Sequence, residues 1–339
     1  MVDVPKQNAD NLQAIETITQ LQLQLMKGTG TGQRGQHYKQ HGCVRAQFEV
    51  LDDIPSALKV GLFARPATYA AHVRFSNGSQ VDDTQPDIHG MAIKLVGVPG
   101  RKILDAEATA TTHDFVLADN PVFIIRDTDE YLRFMKNFAE TAPLGKPPLR
   151  FLAWLAFHHP FDLPVILRFR RHIQESPLTA QYWSQVPYAF GLSDDMICRY
   201  AAVPQPGNML TPIPPAQRDA SYLRQAMVNH LTATGAAARF DFTVQLNDKA
   251  TPEIVDNPTV TWDSPARRVA VLTIPPQAFD SPDRMSFGEN LSYTPWHALP
   301  EHRPVGQVND IRKAVYLASS ALRHQTTHGP HAEPTNDEH

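Results

Sequence analysis

The chain has 339 residues, 29 of them proline and 15 histidine, with 19% charged residues and a formal net charge of −4. A near-neutral chain has no sequence-wide basic field to hold a phosphate backbone, which excludes nucleic acid as its principal partner. A hydrophobic fraction of 42% supports a large core and excludes wholesale disorder.

The N-terminus, MVDVPKQNADNLQ, lacks a basic region followed by an apolar core, so no secretory signal is visible and a cytoplasmic location is expected. Residues 10–27 read as a helix, with Asp10 as N-cap, Leu12, Ile15, Ile18, Leu21 and Leu25 at helical spacing, and Gly28 as the stop. The GTGTGQRG that follows has no Lys-Ser/Thr ending and precedes a strand-like segment, which argues against a phosphate-binding loop. Short strands are then expected at 46–51, 69–77 and 90–97, with two further pieces across 115–125 interrupted at Pro121. Residues 129–227 read as helical and punctuated by proline. The apolar run from Leu149 to Phe169 contains Arg150, His158, His159, Pro160, Asp162, Pro164 and Arg168, which excludes a membrane-spanning helix. Two more strands are expected at 238–246 and 267–274, and a last helix from Val308 to about His324. The polar tail after it is expected to be disordered. Strands at both ends with helices between and after them suggest an α+β domain. Cys43 and Cys198 are far apart and form no CxxC, so both read as buried thiols.

The last helix carries the most informative spacing. Arg312, Tyr316 and Arg323 stand at four- and seven-residue intervals and share one helical face. A cation one turn from a phenol favours its ionised form, and a phenolate is a competent axial ligand to ferric haem iron. Arg323, two turns further on, has the chemistry to hold a haem propionate. On spacing alone the alternative is an amphipathic helix whose arginines face water.

Other segments bear on that choice. RGQHYK at 34–39, VRFSNG at 73–78, PDIHGMAIK at 86–94, NPVFIIRD at 120–127 and ENLSYTPWHALPEHRPVG ahead of RKAVY together resemble the monofunctional catalase superfamily. The resemblance is closer to its short, catalase-related haem protein branch and covers roughly residues 30–325. It implies an antiparallel β-barrel with surrounding helices, enclosing a b-type haem (iron) between the barrel and the final helix. The chain is thus expected to divide into an N-terminal helical arm at 1–29, the haem domain at 30–325 and a disordered tail at 326–339. Carried over by position, Arg34 and Arg74 match two propionate-binding arginines, and Arg323 falls at the offset of a third. His37 matches the distal histidine and Ser76 the serine that orients it. This sequence has one residue more than usual between that histidine and the next strand, and His41 is the alternative. Tyr131 stands where the family stacks an aromatic ring on the haem, and Phe134 follows three residues later. Tyr316 with Arg312 matches the proximal tyrosinate and its arginine; Tyr316 is then the metal ligand.

One departure bears on activity. The family carries a distal asparagine before the Pro-x-Phe-Phe-Ile-Arg-Asp run, and the ungapped position here is Ala118. Asn120 reaches the pocket only through a local bulge, because one residue of shift on a strand turns a side chain to the other face. Removing one positioned donor commonly costs several kcal/mol at a transition state. The expectation is therefore a haem peroxidase that reduces hydrogen peroxide or organic hydroperoxides with a small organic reductant. The alternatives are a weak catalase, a hydroperoxide isomerase resembling the catalase-related allene oxide synthases, and a haem-binding module without turnover. A monomer or homodimer is expected, because the N-terminal arm is short and no long C-terminal extension follows the haem domain. His72, His89 and His113 are read as core or surface residues, and the four tryptophans as core.

Overall fold

Alternating apolar and polar side chains shape the first strand. In β1 (Gln40–Val50), Ala46, Phe48 and Val50 are buried while Arg45, Gln47 and Glu49 face solvent. The computed structural model describes residues 9–28, 34–141, 172–193, 195–208, 212–327 and 333–334. The other strands are β2 (Ala67–Asn77), β3 (His89–Val96), β4 (Thr112–Ala118), β5 (Tyr182–Trp183), β6 (Tyr188–Ala189), β7 (Ile197–Pro204), β8 (Ala238–Asn247) and β9 (Ala266–Ile274). All pair antiparallel in the order β5-β4-β3-β2-β1-β9-β8-β7-β6. β5 also pairs with β7, so eight strands close into a barrel and β6 extends β7 as a ninth. Closure leaves the barrel without open sheet edges. Its interior is aromatic: the Phe115 ring lies 4.7 Å from Phe242 and 5.0 Å from Tyr200, and Phe48 lies 5.0 Å from Phe242.

The helices are α1 (Ala9–Gly28), α2 (Thr128–Thr141), α3 (Tyr222–Val228), α4 (Pro252–Val255), α5 (Pro282–Asn290) and α6 (Gln307–Thr327). Helices α1, α2 and α6 share a small apolar cluster in which Ile18, Met135 and Ile311 are buried, with Tyr131, Phe134 and Val315 packed beside them. The architecture is the expected α+β barrel with surrounding helices.

The structure departs from the sequence reading in three places. Residues 129–227 contain α2 and α3, but also β5, β6 and the eight-residue β7. Six successive residues of β7, Ile197–Ala202, are buried, so the strand lacks the polar alternation that announces one. The stretch after Pro121 makes no strand; the Phe123 amide donates instead to the Pro258 carbonyl at 3.1 Å. In the tail, Glu333 and Pro334 are seated on the protein, with Glu333 Oε2 2.7 Å from both Lys94 Nζ and Thr112 Oγ1. Lys94 also reaches Asp114 at 2.8 Å. The 149–169 run lies outside the described residues.

Several buried histidines are held neutral. The Leu62 amide donates to His302 Nε2 at 2.9 Å, which a protonated imidazole could not accept, and burial lowers the His302 pKa to about 3. Burial also lowers His41 and His113 well below the ordinary value. Below pH about 6.5 the unfolded chain therefore binds protons that the folded chain refuses, so stability falls as pH falls. The melting temperature should hold from pH 8 to 7 and drop progressively from pH 6.5 to 4; a flat profile in calorimetry would contradict the neutral assignments.

Candidate active site

Strand parity builds the floor of a cavity on the outer face of the barrel. Along β2, Ala71, Val73 and Phe75 enter the barrel core, which leaves Arg74 and Ser76 on the other face. The register then sets Ser76 beside Gly90 and Gly90 beside Ala118, and Arg74 beside Ala92 and Ala92 beside Val116. These six residues line a cavity of about 200 Å³ whose opposite wall is α6, through Arg312, Tyr316, Ser319, Ser320 and Arg323. Small side chains at 90, 92 and 118 keep the floor flat.

His37 stands at this floor. Its backbone is left-handed, with φ 55°, a conformation that costs about 1–3 kcal/mol in a residue with a side chain. Its amide donates to the Gly78 carbonyl at 2.7 Å, and its own carbonyl accepts from Arg74 at 2.9 Å. The ring is set by Ser76, whose Oγ lies 3.2 Å from Nδ1. Gly90 makes room: a Cβ there would come within 2.6 Å of Nδ1. Burial, with Arg74 adding to it, lowers the His37 pKa to about 4, so the ring is neutral at pH 7. Gly90→Ala should therefore displace the imidazole while leaving the barrel folded. The expected loss in a reaction that depends on His37 is about 10²-fold, the usual effect of an ångström of misplacement. Circular dichroism controls for folding, and an unchanged rate would show that the ring position is not set by Gly90.

His41 is on β1, with Nε2 2.8 Å from Asn77 Oδ1, and is not part of the cavity wall. Asn120 donates its amide to the Val122 carbonyl and is likewise absent from the wall, whereas Ala118 is part of it. Tyr131 lines the cavity; Phe134 belongs to the helix cluster beside it.

On the opposite wall, Arg312 is pinned by Asn309 Oδ1 at 3.2 Å and lies 3.5 Å from the Tyr316 hydroxyl. Asn309 is itself fixed, because its amide donates to the carbonyls of Pro187 and Val305, both at 2.8 Å. Burial opposes the Arg312 charge, but the phenols of Tyr316 and Tyr188 outweigh it and hold its pKa above the ordinary value. The phenol of Tyr316 thus faces a permanent cation.

Eleven residues along α6, about 16 Å by helical rise, the cavity ends in a cationic cluster. Arg34 and Arg74 each reach one oxygen of the Glu289 carboxylate, at 2.8 and 2.9 Å. Arg323 donates to the Glu289 carbonyl and to Ser292 Oγ, both at 2.6 Å. Burial lowers Arg34 to about 9 and Arg323 to about 10, values that still leave both charged at pH 7. Burial would raise the Glu289 pKa, but Arg74 and Arg34 overcome it and keep the carboxylate ionised. Three guanidiniums around one carboxylate leave a surplus of positive charge at this end, suited to a ligand with carboxylates on one edge.

The structure thus brings Arg34, His37, Arg74, Ser76, Tyr131, Arg312, Tyr316 and Arg323 to one cavity. It adds residues that the sequence does not announce. Glu289 sits in the arginine cluster, Gln22 and Met26 of α1 line the wall near Gly35, and Tyr293 and Gln185 complete it. Gln185 has φ 65°, and with His37 it forms the pair of left-handed non-glycine residues among those described.

The fold is that of catalases. A fungal catalase matches with a TM-score of 0.68 and 17% identity over 89% of this chain and 60% of its own. A bacterial catalase matches at 0.64 and 16% over 96% and 62%, and catalase A from Saccharomyces cerevisiae at 0.67 and 16% over 90% and 65%. The chain thus spans under two thirds of the length of each. No protein-family model and no curated protein sequence matches it.

Proposed function

We propose that this chain, which carries the catalase fold, is a haem-dependent peroxidase that reduces hydrogen peroxide or an organic hydroperoxide. The observation that carries the reading is the pairing across one flat-floored cavity of a neutral, Ser76-oriented His37 with an Arg312-backed Tyr316. The donor set fits a b-type haem. The Tyr316 oxygen would hold the iron, the surplus charge of Arg34, Arg74 and Arg323 suits two propionates, and Tyr131 would lie against the ring.

Haem, when bound there, supplies the iron centre at which the peroxide O–O bond is cleaved and its oxidising equivalents are stored. With Nδ1–H turned to Ser76 Oγ, His37 keeps Nε2 as the free base; it takes the proton of the near peroxide oxygen and returns it to the far one. Arg312 sets a permanent cation beside the Tyr316 oxygen. Ala118 offers a methyl where the family resemblance expects an amide, so no donor from that position helps to hold a second peroxide for disproportionation. This favours turnover with an organic reductant, here placed in the cytoplasm with a monomeric or dimeric protein. Among the described residues, no helix is long and apolar enough to cross a membrane.

A pyridine haemochrome assay of the purified protein, followed by hydrogen peroxide with and without a phenolic reductant, tests the proposal. Haem b with reductant-dependent turnover and little oxygen release is expected. Vigorous oxygen release would make the protein a catalase, and an inert Soret band would leave a binding module.

A further inference from the structure

We propose that His89, Asp119 and His172 form a site for a divalent transition-metal ion, best matched by Zn²⁺, that ties residue 172 to the strands of the cavity floor. His89 opens β3 and Asp119 directly follows β4, each one residue from a floor position, Gly90 and Ala118. Backbone bonding fixes the pair: the Asp119 amide donates to the His89 carbonyl at 3.0 Å, and the His89 amide donates to Asp119 Oδ1 at 2.7 Å. Asp119 Oδ2 is thereby turned to the side chains. His89 Nδ1 lies 2.9 Å from it and His172 Nε2 2.8 Å, and the three ligand atoms fall within 4.8 Å of one another. Tetrahedral zinc ligands at about 2.0–2.2 Å stand roughly 3.3–3.6 Å apart, so the 2.9 and 2.8 Å separations from Asp119 Oδ2 need open by only about half an ångström.

Gln174 places a further side-chain amide against the cluster. Its side chain is buried, and Nε2 lies 3.1 Å from Asp119 Oδ2 and 3.2 Å from the Tyr182 hydroxyl. Its Oε1 is buried without a hydrogen-bond partner among the described residues. An orphaned amide oxygen in the interior costs about 1–3 kcal/mol. Reversing the amide would set Oε1 against the Asp119 carboxylate, a repulsive contact unless a cation lies between them. With a cation there, the reversed amide would offer Oε1 as a fourth ligand, and Nε2 would take the buried position where Oε1 now has no partner. Two imidazole nitrogens and two oxygens make a set suited to zinc and its first-row neighbours. The His172 side chain, 31% exposed, gives the ion access from solvent.

The competing account is a carboxylate hydrogen-bonded by two imidazoles, which binds no metal. The two accounts separate in a titration of chelator-stripped full-length protein with Zn²⁺ against a chromophoric chelator, with Co²⁺ as a spectroscopic probe. One equivalent of zinc per chain should survive desalting, and zinc should raise the melting temperature, since an ion that binds only the folded chain stabilises it by mass action. His172→Ala, at a partly exposed position, and Asp119→Asn, of the same size, should each lose about tenfold or more in affinity and lose the thermal shift. His328→Ala with His331→Ala, in the tail, should change neither. Absence of a retained equivalent, or equal retention by folded His172→Ala, would overturn the site. None of these readouts uses peroxide turnover, so their failure leaves the peroxidase proposal standing.

Discussion

Replacing Tyr316 by phenylalanine should strip the protein of the haem proposed for it. The phenol is the oxygen that faces the cavity beside Arg312, and no other group on α6 between Arg312 and Ser319 offers an anionic ligand. Loss of an outer partner of a metal ligand alone costs about 10–100-fold in affinity. Loss of the ligand itself should exceed that, so haem content after desalting should fall at least tenfold, with any remaining Soret band shifted. Arg312→Lys, which keeps the charge but not the planar fork, should fall between the two. The barrel does not depend on this side chain, which is only half-buried on α6, so circular dichroism should be unchanged. A variant with full haem and an unaltered spectrum would remove Tyr316 from the proximal role.

His37→Ala should have the opposite profile: haem kept, reaction lost. The expected fall in the rate of reaction with peroxide is about 10²–10⁴-fold, the usual worth of a positioned acid–base group. His41→Ala should leave that rate close to wild type, since its imidazole is committed to Asn77 away from the cavity. The pH dependence gives a second readout. Burial holds His37 near 4, so its base form is complete above about pH 5, and the wild-type rate should be level from pH 5 to 8 and fall as acid protonates the ring below about 4. A break near pH 6.5 in stopped-flow traces would instead indicate an imidazole open to water. Ala118→Asn is the complementary gain. It restores an amide on the floor beside Gly90, and oxygen evolution should rise relative to turnover of the organic reductant.

Much of this arrangement is legible in the sequence where chemistry and periodicity coincide. The α6 face is written in the spacing of Arg312, Tyr316 and Arg323, and α1 in its apolar repeat. The β1 and β2 runs alternate plainly enough to be found. What the sequence hides is whatever depends on burial of both faces or on convergence from afar. β7 is buried on both sides, Arg199 included, and lies among prolines, so its residues resemble a helical core segment until β8 is found beside it. FII at 123–125 has strand composition but no place in the sheet. Glu289 looks like any helix-end carboxylate; only folding sets it between Arg34 and Arg74, residues far away in the chain. Gln22 and Met26 read as the ordinary inner face of an amphipathic helix, with nothing to say that the face closes a cavity.

The two-residue β5 has a consequence for how the molecule opens. It joins the barrel through Ala118↔Trp183 on one side and Tyr182↔Ala202 and Trp183↔Ala201 on the other, whereas other neighbours share up to ten paired residues. Sub-global opening follows the weakest cooperative unit, so amide hydrogens at this seam should exchange with solvent well before those of β1, β2, β8 and β9. Ala118 belongs both to the seam and to the cavity floor. Transient release of β5 would thus loosen the floor without unfolding the barrel, and a ligand that bridges the floor and α6 should slow exchange at Trp183 more than at the strands far from it.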